Sequence, residues 1–67
     1  MKNVGILHRW IIKEKHIGEI PSGIDPQQKY AVFAPDGRWM EDHLTWQQAV
    51  DFCEENKDEF SGGLIHD

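Results

Sequence analysis

The chain has 67 residues, 39% of them hydrophobic and 28% charged, with a formal net charge of −5 and a single cysteine. That length accommodates one domain and excludes a second, and a lone cysteine excludes an internal disulfide. No apolar run approaches the roughly 20 residues of a membrane span.

Residues 1–10 lack the uninterrupted apolar stretch of a secretion signal, and one thiol suits a reducing compartment, so a cytoplasmic protein is expected. Charge is unevenly spread. Residues 1–40 hold six Lys/Arg against four Asp/Glu, whereas residues 41–67 hold only Lys57 against eight acids. A basic-leaning first half therefore feeds an acidic second half.

In chain order, residues 4–14 are rich in β-branched and aromatic residues and read as a strand, although Val4, Leu7 and Ile11 at i, i+3 and i+7 also fit a helix; Gly5, the Ile11-Ile12 pair and the missing amino-terminal cap favour the strand. Period-2 alternation then places Ile6, Trp10 and Ile12 on one face, with Leu7 and Ile11 opposite. Residues 16–28 contain Gly18, Pro21, Gly23 and Pro26, which break regular structure, so they read as a loop pinned by Ile17, Ile20 and Ile24. A loop this long in so small a domain is often functional.

Lys29–Phe33 is the next strand. Pro35-Asp36-Gly37 forms a turn in which Pro35 presets φ, Asp36 bonds nearby backbone and Gly37 accepts positive φ. The return strand starts at Arg38, which sets Phe33 opposite Trp39 and Val32 opposite Met40. Phe33 and Trp39 then share one sheet face, and Tyr30, Val32 and Met40 the other. A helix follows. Thr45 and Gln48 form a capping box behind the staple residue Leu44, and Trp46, Ala49, Val50 and Cys53 recur at helical spacing, with Phe52 widening the stripe. The helix is expected to end near Asn56-Lys57. Residues 61–67 read as a flexible tail to a domain spanning 1–60. These elements predict an α+β fold: a three-stranded antiparallel sheet packed on one C-terminal helix.

Chemistry-bearing patterns are sparse. His8, His16, His43 and His66 are too scattered for a metal site, and Glu41-Asp42-His43 reads as a solvated linker. Cys53 falls on the apolar helix stripe beside Glu54 and Glu55, which disfavour a thiolate, and Ser22 has no partner base. Gly62-Gly63 lacks the lysine and the strand–helix context of a phosphate loop. Neither an enzyme nor a cofactor is expected.

Binding surfaces remain. Glu41, Asp42, Asp51, Glu54, Glu55, Asp58 and Glu59 outline an acidic surface suited to a basic protein partner or to imitating a nucleic-acid backbone. The sheet face away from the helix offers large anchors, Trp39 with Phe33 or Met40 with Tyr30 according to which face the helix covers, for a partner or for a homodimer.

The element order, with Tyr30-Ala31-Val32-Phe33, Gly37-Arg38-Trp39 and Trp46 to Phe52, loosely resembles the small sheet-plus-helix domains that include the amino-terminal DNA-binding domains of phage integrases. The likeness covers about half the chain, rests on element order, and implies a sheet laid in a DNA groove. In this chain Lys13, Lys15, Lys29 and Arg38 would meet the phosphates, against an unfavourable net charge of −5. In size and character the chain is also similar to accessory proteins of bacterial viruses and prophages. The leading expectation is a non-enzymatic protein-binding regulator or inhibitor of that type, anchored by sheet aromatics and oriented by the acidic helix. Sheet-mediated nucleic-acid binding is the alternative.

Overall fold

In a computed structural model that describes residues 1–58, four strands precede one helix: β1 (Lys2–Leu7), β2 (Trp10–Glu14), β3 (Tyr30–Phe33), β4 (Trp39–Leu44) and α1 (Trp46–Glu55). The strands pair antiparallel in chain order, and α1 packs on one face of the sheet. The fold is α+β, with an antiparallel sheet on one C-terminal helix. It has four strands where three were expected.

The extra strand arises at His8-Arg9. Both residues hold positive φ (52° and 75°), as the centre of a type I′ turn requires, so the expected single strand folds into a hairpin. That turn usually announces itself as Asn-Gly. His-Arg carries no such mark, and the residues on either side favour strand equally. The turn also reverses the expected facing: Ile6 pairs with Ile11 and Leu7 with Trp10, so Ile6 leaves the Trp10 and Ile12 face for the opposite one. Within β1 the register slips between Asn3 and Gly5, and Val4 in the slip packs against the core.

The β3–β4 hairpin closes at the expected turn. The Gly37 amide donates to the Ala34 carbonyl (2.9 Å), the Ala34 amide donates to the Arg38 carbonyl (2.9 Å), and Gly37 takes φ 94°. Phe33 pairs with Trp39 as expected, but Val32 pairs with Glu41 rather than Met40. Met40 is the extra residue of a bulge, which periodicity alone cannot locate, so it does not extend the Tyr30 and Val32 row. A second irregularity lies between the Val32 and Tyr30 pairings, beside His43 at φ 55°. β4 runs on to Leu44, so Glu41-Asp42-His43 is bulged strand and not linker.

The core sits between sheet and helix. Trp10, Ile12, Val32 and Ala34 meet Ala49 and Cys53, with Val4, Leu7, Tyr30, Leu44, Val50 and Phe52 around them. Thr45 Oγ1 accepts from the Gln48 amide (3.2 Å) and Gln48 Oε1 accepts from the Thr45 amide (2.9 Å), so the capping box forms as read. At the other helix end, Trp10 Nε1 donates to the Asn56 carbonyl (3.1 Å), and the Trp10 ring meets Phe52 edge-on at 5.6 Å. Trp46 stands edge-on to Tyr30 at 5.4 Å, and its ring lies so near β1 that a Cβ added at Gly5 would come within 3.2 Å of it.

Residues 16–28 leave the sheet at a neck where the Lys15 amide donates to the Lys29 carbonyl (2.8 Å); apart from a 3-10 turn at Ile17–Glu19 they are irregular. The expected tail, 61–67, and Glu59 lie outside the described residues.

Candidate binding face

Alternation along each strand gives the sheet two faces. One packs on α1. On the other, the register aligns Ile6 with Ile11, Ile11 with Phe33, and Phe33 with Trp39, so four large apolar side chains cross all four strands in one row. The helix does not cover this row. Ile6 is 66% exposed and Trp39 52% exposed. The Phe33 and Trp39 rings stack at 5.4 Å with 24° between their planes, forming a flat aromatic step at the β4 end.

Cations sit beside the row. Lys13 Nζ lies 4.3 Å from the centre of the Phe33 ring. Lys15 is nearly buried; its ammonium pairs with Asp42, lies 3.4 Å from His43 Nδ1 and is 5.8 Å from the centre of the Trp39 ring. Fixing this chain across the sheet turns a long, mobile lysine into part of the surface, since its stem packs while its charge stays paired.

The residues expected to bind divide between the faces. Trp39 lies on the open face. Tyr30 does not, because its ring packs against Trp46 and the core. Met40 is exposed at the bulge beside Trp39. Asp51, Glu54 and Glu55 are exposed on α1, and Asp58 just beyond it. Because α1 packs on the face opposite Trp39, the acidic helix surface and the aromatic row point in opposite directions. No flat partner surface touches both.

Of the four lysine and arginine residues read as phosphate contacts, only Lys13 lacks a carboxylate partner among the described residues. Lys15 pairs with Asp42; Lys29 pairs with Glu14 at 2.8 Å; Arg38 Nε donates to Asp36 Oδ2 at 2.8 Å, within the turn. The electrostatics agree. The Lys29 hydrogen bond holds the Glu14 carboxyl below its ordinary range, and the Arg38 amide and side chain do the same for Asp36. Lys13 and Lys15 lie on the open face, Lys29 at the loop neck and Arg38 in the β3–β4 turn, so the four do not form one patch.

Ile6, Ile11 and Phe33 were not singled out as site residues. Phe33 was legible from its pairing with Trp39. Ile6 and Ile11 became legible only with the His8-Arg9 turn, because the row depends on where the strand reverses.

Other chemistry is thin among the described residues. Cys53 is buried, and desolvation, aided by the nearby Glu54 charge, raises its thiol above the ordinary value. No group of three or more His, Cys, Asp or Glu side chains there could hold a metal ion. An open cleft of about 370 Å³ beneath the 16–28 loop is lined by Glu14, Lys15, His16, Ile17, Lys29 and neighbouring residues. No helix among the described residues is long and apolar enough to cross a membrane. Comparison of the chain with protein-family models, with curated proteins and with solved structures gives no match.

Proposed function

We propose that this chain is a non-enzymatic protein-binding module, a small regulator or inhibitor of the phage or prophage type, which docks through the open sheet face. The observation that carries the reading is the row Ile6, Ile11, Phe33 and Trp39, apolar across four strands and left uncovered by the helix. Large aromatic and aliphatic side chains held on rigid strands bind at low entropic cost, because little is ordered on docking. Trp39 is the main anchor, at the β4 end of the row. Met40 extends it at the rim, and Tyr30 supports the sheet from behind. The acidic helix surface, with Asp51, Glu54, Glu55 and Asp58, is a separate face that orients a partner with basic regions at longer range.

Nucleic-acid binding is the second reading, since stacked rings beside lysines also suit unpaired bases. The carboxylate partners of Lys15, Lys29 and Arg38 weigh against it, because a phosphate must displace each of them. The test is capture from bacterial lysate by tagged protein, with and without nuclease, using wild type and Trp39→Ala. A defined protein retained after nuclease and lost with Trp39→Ala supports the module. Capture that nuclease abolishes favours the second reading, and capture indifferent to Trp39→Ala removes the sheet face from either.

A further inference from the structure

The shape and charge of the row narrow its occupant. Three interstrand spacings make the row about 14 Å long at ordinary strand dimensions. Each partner of a stable globular interface buries about 800 Å² of accessible surface, which four side chains, two of them only partly exposed, do not supply, so the row is too small to hold a second copy of the chain by itself. About 14 Å is, however, the length of nine or ten helical residues, enough for anchors at i, i+3 or i+4, and i+7. α1 already shows that this sheet accepts a helix on its other face.

Charge selects among helices. On one side of the row stands Lys13 and on the other Arg9, in the β1–β2 turn; neither has a carboxylate partner among the described residues. Asp42, the half-buried acid on β4, is already neutralised by Lys15. An occupant that carries acids along its flanks therefore gains, and one that carries lysines meets two uncompensated cations.

Resting on the reading that the open face docks protein, we infer that its occupant is a short amphipathic helix with an apolar stripe flanked by Glu or Asp. Binding it would turn the sheet into the middle layer of a helix–sheet–helix sandwich.

The probe is a pair of labelled peptides of about 16 residues, long enough to be helical. Both carry Leu at the anchor spacing, one with Glu and the other with Lys at the flanking positions. Fluorescence anisotropy against the full chain at physiological salt, where screening removes the long-range pull of the −5 net charge, should show the Glu peptide binding about tenfold or more tighter than the Lys peptide. Lys13→Glu should narrow or reverse that preference, and Trp39→Ala should weaken both peptides; circular dichroism checks that each variant stays folded. Equal or tighter binding of the Lys peptide overturns the inference. So does binding of neither peptide, and then the docking reading still stands if Trp39→Ala abolishes capture of a nuclease-resistant partner. Displacement of the Glu peptide by an unrelated single-stranded oligonucleotide at lower concentration overturns both.

Discussion

The two faces of this sheet use similar residues to opposite ends. On the helix side, Trp10, Ile12 and Val32 are fully buried, and the Trp10 indole N–H is satisfied by the Asn56 carbonyl. On the open side, Ile6 and Trp39 remain exposed, and the indole stacks on Phe33 on the face away from the helix. Burial of a large side chain contributes a few kcal/mol only where water is excluded on both sides. The helix side therefore holds the fold, and the open side is free to be spent on a partner.

The sharpest way to break this contrast is to truncate a tryptophan on each face. Trp10→Ala should cost about 3–5 kcal/mol, close to unfolding so small a domain, whereas Trp39→Ala should cost less than about 1 kcal/mol. Urea melts followed by circular dichroism would measure both. Comparable losses would mean that the open face is part of the core.

Next in size is Lys15, the one nearly buried cation among the described residues. Lys15→Ala removes the partner of half-buried Asp42 and should destabilise by about 1–3 kcal/mol. Asp42→Asn should cost less, because the lysine head can still donate to the amide oxygen and to His43. If both variants melt like wild type, the open face carries no structural charge and is only a surface.

The β1–β2 turn should yield a gain instead. His8-Arg9 holds two non-glycine residues at positive φ, so His8→Asn with Arg9→Gly should stabilise by about 1 kcal/mol, less whatever the exposed His8–Glu54 contact contributes. A melt that falls instead would argue against the hairpin that creates the Ile6–Trp39 row.

The smallest effect is electrostatic and lies at the loop neck. Lys29 holds Glu14 below its ordinary range, so Lys29→Met should raise the Glu14 pKa toward that range, visible by carboxyl NMR titration. The sign follows from a depressed folded-state value: the pair stabilises above the unfolded carboxyl pKa, and that contribution fades as pH falls through the folded one. Both groups are partly open to solvent, so added salt should shrink the shift. A titration unchanged by Lys29→Met would separate the neck from the sheet's charge pairs.

Local signals were strong in two places. Pro35-Asp36-Gly37 and the Thr45–Gln48 box each state their geometry in side-chain chemistry, through a preset φ, an Asx bond and a reciprocal cap, and both formed as read. The core stripe of α1 was equally plain from its spacing. Conversely, His8-Arg9 takes a turn conformation that its residue types disfavour, and pairing across β1–β2 imposes it. The bulge at Met40 likewise reflects strand pairing and carries no composition of its own.

By itself, then, the sequence determined the α+β class, the β3–β4 hairpin, the helix with its cap, and the gathering of acid in the second half. Each of these is written within a few neighbouring residues. Only the tertiary structure decided that there are four strands, that Ile6 joins Trp39 rather than Trp10, and that three predicted phosphate contacts already hold carboxylates. The physical reason is common to all three. Which face a strand residue occupies, and which charge it meets, depend on the register between strands, and register is a property of the pairing that no single segment carries.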